Sequence, residues 1–126
     1  MTGLAIILMV KVAVSTLTLV VPFLALPADM LSTLMGAEVS APMARLYGVA
    51  IAALLVGYGF GLRQHWHGDW PVGVIWMGVV SNGGGALIAA SLLDGLPRLM
   101  GAGFFGSIAL GLIACLLWPG AMGRTE

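Results

Sequence analysis

Four long hydrophobic runs, separated by short polar breaks, organise the chain. They cover Leu4 to Leu26, Ala44 to Leu62, Pro71 to Leu93 and Leu99 to Trp118. A helix crossing about 30 Å of hydrocarbon at about 1.5 Å per residue needs about 20 residues. Three runs meet that length. The second is slightly short, with Arg45 and Tyr47 at its start. A barrel strand would alternate polar and apolar positions over about ten residues, whereas these runs are longer and apolar on every side. They predict an all-α fold: an antiparallel bundle of four transmembrane helices, forming a single membrane domain over residues 1–126.

The breaks predict the connectivity. Asp94-Gly95-Leu96-Pro97-Arg98 reads as a tight turn, which makes the third and fourth helices antiparallel neighbours. The polar stretch from Arg63 to Trp70 pairs the second and third in the same way. The first connection, Pro27 to Met43, is longer. Pro27 can open a helix there, Asp29 favours its first turn and Gly36 can close it. Leu31, Leu34 and Met35 would share one face. The reading is a short amphipathic helix at the membrane surface, with an irregular loop as the alternative.

Four spans put both termini on one side. Lys11, Arg63 and Arg124 fall nearer that side, and Arg45 and Arg98 nearer the other. The positive-inside rule then favours cytoplasmic termini, and His65 and His67 add partial positive charge to the same side. Trp66, Trp70 and Trp118 fit an aromatic belt there.

Composition agrees with a membrane protein. Hydrophobic residues make up 60% of the chain and charged residues 8%, against about 25% charged in a soluble domain. The formal net charge is zero, so no basic footprint for nucleic acid exists. Cys115 is the single cysteine and cannot form an intramolecular disulfide. Met1 to Met9 carries no lysine or arginine, and Lys11 interrupts the apolar core itself. That pattern predicts a retained first helix rather than a cleaved signal peptide.

The chain has 19 glycines. Within lipid, glycine lets helix backbones approach closely. Small residues recur every fourth position in three rows: Ala53, Gly57 and Gly61; Ser81, Gly85 and Ala89, following Met77; and Gly103, Ser107, Gly111 and Cys115. Gly57, Gly61, Gly85, Gly103 and Gly111 are the expected helix-packing positions.

Lys11 is the most unusual residue. It lies about nine residues, or roughly 13 Å, into its span. A lysine near mid-bilayer costs at least about 2.5–3.5 kcal/mol to insert. Ser15, Thr18 and Pro22 follow it on one helical face, so this stripe should face the bundle. Asn82 and Ser107 fall at similar depth when counted from the same membrane face. The expectation is a buried polar cluster of Lys11, Ser15, Ser81, Asn82 and Ser107. No acidic residue lies at that depth. Lys11 can therefore snorkel to the near interface or pack in a hydrogen-bonded setting. A role with a substrate, a proton or a partner is the alternative.

Asn82-Gly83-Gly84-Gly85 lies mid-span. It can serve close packing, kink the helix, or expose carbonyls to a ligand. His65-Trp66-His67-Gly68-Asp69 offers too few ligands for a metal site and reads as a polar interfacial loop. No nucleophile–base pair or buried carboxylate pair can be assembled. The chain is not expected to be an enzyme; a cofactor is left open, since the sequence requires none.

Phe23-Leu24-Ala25-Leu26-Pro27, Leu34-Met35-Gly36 and Ala44-Arg45-Leu46-Tyr47-Gly48 complete the picture. Their layout resembles uncharacterised bacterial families of small four-helix membrane proteins, including those similar to DoxX. The resemblance covers most of the chain as a layout, and it implies a four-helix bundle in a bacterial inner membrane. DoxX itself is described as partnering a quinone-linked oxidoreductase, but none of these residues is specific to that role. Small multidrug transporters are similar in size, but they carry a glutamate in the first helix where this chain has Lys11. The expected function is that of an accessory subunit docking on a larger membrane complex, respiratory or photosynthetic, with membrane lipids and other subunits as partners. The alternative is a small carrier, or a lipid-, quinone- or pigment-binding protein, using the polar centre around Lys11 and Asn82.

Overall fold

A computed structural model describes residues 1–124. Four helices are long and apolar enough to cross a membrane: α1 (Gly3–Ala25), α3 (Ala41–Trp66), α4 (Val72–Leu92) and α5 (Gly95–Leu117). The short helix α2 (Ala28–Met35) lies between the first two. No strand occurs among the described residues. Successive spans alternate in direction. α1 packs against α3 and α5, and α4 completes the ring against the same two helices. Near the N-terminus the Thr2 hydroxyl contacts His65 at the end of α3, and the Leu4 N–H donates to the Met122 carbonyl at 3.3 Å.

α1 is not uniform. Thr2 caps it by accepting from the Ala5 N–H at 3.3 Å. Pro22 then has no N–H to give, and its ring would crowd the carbonyl of residue 18. The helix widens just before it into one π turn, Thr16–Val20, where the Val21 N–H reaches the Thr16 carbonyl. The extra residue in that turn re-aims the face. Ser15 stays buried and Phe23 becomes so, while Thr18 turns outward. Thr18 therefore leaves the stripe that strict helical spacing predicts.

Arg45 of α3 ties down the end of α1. Its guanidinium donates to the Phe23 carbonyl at 2.6 Å and the Leu26 carbonyl at 2.9 Å. Helix ends leave such carbonyls without intrahelical partners. The predicted short helix is present, closed by Gly36 at φ +64°. Its inward face is Leu31, which packs with Phe23 and Ala44, and Met35 borders that cluster. Leu34, expected beside them, is exposed.

Two boundaries move. α3 runs well past the apolar stretch at both ends, because polar residues near an interface continue a helix without loss. The predicted turn Asp94–Arg98 shrinks to Leu93 and Asp94. Gly95 already begins α5 at φ +60°, and Pro97 lies in the first turn, where its missing N–H is not needed. α4 runs unbroken through Asn82-Gly83-Gly84-Gly85, so the triple glycine does not interrupt the helix.

The seams use glycine unevenly. A Cβ at Gly61 would lie 2.6 Å from Val74, at Gly57 3.2 Å from Met77, at Gly111 2.9 Å from Ile7, and at Gly85 3.2 Å from Phe105. Gly78 admits Leu112 and Tyr58 against its backbone, and Gly101 faces Ala89. Gly78 and Gly101 were not singled out by the four-residue rows. Gly103, which was, is exposed, and nothing lies within 4 Å of a Cβ built on it. The buried face of α5 is Ile108, Ala109, Leu112 and Cys115, which turns Gly103 and Ser107 outward. Gly78→Val should therefore destabilise the bundle by about 1–3 kcal/mol through overpacking, whereas Gly83→Ala, with open space at its Cβ, should lie within about 0.5 kcal/mol of wild type or be slightly more stable. Thermal unfolding of both variants in detergent checks the contrast.

Candidate functional site: the polar bundle centre

The close contacts set the relative heights of the helices. Ile7 stands beside Gly111, Leu112 beside Gly78, and Phe105 beside Gly85. With α5 antiparallel to α1, Lys11 is level with Ser107. With α4 parallel to α1, Lys11 is also level with Asn82 and Gly83. Phe104 and Phe105 stand about two to three residues further along α1, roughly 3–4 Å by helical rise.

Lys11 is only 5% exposed. Its ammonium lies 4.6 Å from the centre of the Phe105 ring and 5.2 Å from that of Phe104. Long side chains on a helix usually lean toward its N-terminus. Lys11 leans the other way, toward the middle of the span. Snorkelling to the near interface is therefore not the arrangement adopted. Of the five acidic residues, Asp29, Glu38, Asp69 and Asp94 lie in α2, in connections, or in the two-residue link. Among the described residues no acidic side chain lies inside a transmembrane helix, so none is placed within the spans to neutralise Lys11. Two aromatic faces return about 0.5–2 kcal/mol each, set against an insertion cost of at least about 2.5–3.5 kcal/mol.

Asn82 is fully buried. Its amide nitrogen donates to the Gly78 carbonyl one turn back at 2.8 Å and to the Tyr58 hydroxyl at 2.9 Å, and stands 3.4 Å from Ser81 Oγ. Tyr58 and Ser81 hydroxyls are 3.1 Å apart. The Gly78 carbonyl decides the orientation of the amide, since only the nitrogen can donate to it. Asn82 Oδ1 then points elsewhere and has no partner. Tyr58 was missed by sequence reasoning. Its signal was available: a tyrosine eight residues before Trp66, inside an apolar run, whose hydroxyl needs a partner when buried. Tyr58 leans toward the N-terminus of α3, which brings its hydroxyl to the level of Ser81 and Asn82.

Ser15 is fully buried, one turn beyond Lys11 on the same face of α1. Thr16 and Thr18 hydroxyls donate to the Val12 and Val14 carbonyls at 2.7 and 2.8 Å. The Ser15 hydroxyl makes no such bond and has no partner. Of the five residues expected to cluster, Ser81 and Asn82 form a hydrogen-bonded group with Tyr58, and Lys11 and Ser15 lie on the buried face of α1. Ser107 does not join them. It is exposed, and its hydroxyl donates to the Phe104 carbonyl at 2.9 Å. Counting residues gave its depth but not its direction around the helix.

The histidine loop is otherwise occupied. His65 contacts Thr2 and stacks edge-on with Trp70 at 5.7 Å, while His67 Nδ1 lies 2.8 Å from the Arg63 carbonyl. No group of three metal-ligating side chains occurs among the described residues. At the opposite end of the bundle an open groove of about 470 Å³ is lined by Phe23, Glu38, Val39, Ser40, Met43, Ala44 and Tyr47.

Compared with models of known families, with curated proteins and with solved structures, the chain has no significant match. Tyr58 and Asn82 should couple energetically. A double-mutant cycle with Tyr58→Phe and Asn82→Leu, followed by unfolding in detergent, should return about 0.5–1.5 kcal/mol. Additive effects would mean that the bond contributes nothing.

Proposed function

We propose that this protein is an accessory membrane subunit that docks on the helices of a larger membrane complex and performs no reaction of its own. The observation that supports this most is the outer face of α5. Gly103 and Ser107, four residues apart, both face outward, flanked by exposed Leu99 and Leu110. The Ser107 hydroxyl is satisfied within its own helix, so a partner helix would not have to supply a polar group. In lipid, helices associate through close backbone approach at small residues. This row is unused inside the chain and matches that need. Gly83 and Gly84 on α4 likewise have open space beside them. The host is taken to be a complex of a bacterial inner membrane, in keeping with the layout resemblance.

The proposal includes an orientation with both termini cytoplasmic. Because Lys11 points into the bundle, the basic residues divide evenly: Arg63 and Arg124 on the terminal side, Arg45 and Arg98 on the other. His65 and His67 tip the balance toward the terminal side.

The test is extraction in mild detergent, then native electrophoresis and mass spectrometry of co-migrating proteins. Wild type should migrate within a larger assembly. Gly103→Ile combined with Ser107→Leu should weaken that association by about 1–2 kcal/mol or more, some tenfold, with the melting temperature of the free protein unchanged. Migration of wild type as a monomer or a simple homodimer would contradict the reading.

A further inference from the structure

We propose that the bundle interior around Lys11 and Ser15 binds an ionised oxygen acid on an apolar tail, a fatty-acid-type carboxylate, admitted from the lipid between α1 and α5. The inference is independent of the docking role and stands on two buried groups one turn apart on α1, with a third at the same height on α4. Lys11 is a buried amine with no carboxylate within the spans to pair with it. Ser15, one turn further on the same face, holds an unused hydroxyl at zero exposure. Asn82, level with Lys11 on α4, holds an unused amide oxygen, also at zero exposure. Buried polar groups are nearly always paired, and two orphans within about one helical turn of the height of Lys11 are an unusual concentration for one small bundle.

A single ligand satisfies Lys11 and Ser15 together, which lie one turn apart on one face of α1. An ammonium has three N–H donors. Those that face the site meet a carboxylate oxygen. The second carboxylate oxygen accepts from the Ser15 hydroxyl. Rearrangement within the chain does less: a Lys11–Asn82 bond would leave Ser15 unpaired and the charge uncompensated. A bridging water would supply hydrogen bonds without a counter-charge. The head group must be small and singly charged, because the site offers one cation and little exposed surface. Its body must be apolar, because Lys11 lies in mid-span with hydrocarbon outside.

Phe104 and Phe105 supply the entry. Their rings are half-buried and stand over the ammonium, forming the wall between it and the lipid on that side. Cation–π contact holds the ammonium while the site has no anion. A carboxylate is a stronger partner, so it displaces the rings rather than adding to them.

The experiment uses the full chain in nanodiscs of phosphatidylcholine. The probe is a spin-labelled 16-carbon fatty acid, compared with its methyl ester. Wild type should bind the acid saturably at one site, and the ester at least about tenfold more weakly. Lys11→Met should lower acid affinity about tenfold, Ser15→Ala several-fold, and Lys11→Arg should retain binding. Ser91→Ala, on the exposed surface, should match wild type. Ser15→Ala and Lys11→Arg keep the test decisive if Lys11→Met does not fold. The proposal is overturned if wild type shows no saturable site, if acid and ester bind alike, or if Lys11→Met binds as wild type does.

Discussion

The structure depends on how closely α4 and α5 approach. Backbone contact at Gly78 against Leu112, at Gly85 against Phe105 and at Gly101 against Ala89 leaves one vertical register for the hairpin. Lipid tails are as apolar as leucine, so no hydrophobic gain drives these helices together, and dispersion at close range must do so. The same register then fixes the centre of the bundle. Asn82 is one turn above Gly78, and Phe105 packs against Gly85 on α4. Gly111 against Ile7 extends the register to α1 and brings Lys11 to the level of Asn82.

A second constraint acts on every polar group at membrane depth, inside the bundle or on its lipid-facing surface. Hydroxyls and amides there must find partners locally. Thr16, Thr18, Ser91 and Ser107 do so by donating to carbonyls one turn back in their own helices. Tyr58, Ser81 and Asn82 do so across the α3–α4 seam. Arg45 serves the carbonyls that α1 frees at its end. Against that background Ser15, Asn82 Oδ1 and the Lys11 charge are exceptions. They share the interior around one level, which is why the centre, rather than the histidine loop, is the chemically distinctive part of the molecule.

Much of the architecture was legible in the residues. Hydrophobic run length revealed the four spans, and Pro27 and Gly36 bracketed the short helix. Depth counting brought Lys11 and Asn82 to one level. Direction around the helix axis was the harder quantity. Gly103 and Ser107 belong to a regular row of small residues, yet spacing alone cannot say whether a row faces a neighbour or lipid, because both surroundings are apolar. Thr18 was lost to the π turn before Pro22, which shifts everything beyond Ser15 by one residue. Tyr58 was overlooked because a single tyrosine in an apolar run looks like a packing residue until its hydroxyl finds Asn82. Gly78 was overlooked because it lies outside the row of Ser81 and Gly85.

The position of the Lys11 ammonium is the decisive quantity. Solid-state NMR of the protein in lipid bilayers, with labelled lysine and phenylalanine, measures it directly through a single lysine signal, since Lys11 is the only lysine. Cross-peaks from its terminal carbon and nitrogen to the Phe104 and Phe105 rings, with no transfer from lipid phosphate or bulk water, are the predicted result. Strong contact with phosphate or water, and none with the rings, would place the ammonium at the interface and contradict it.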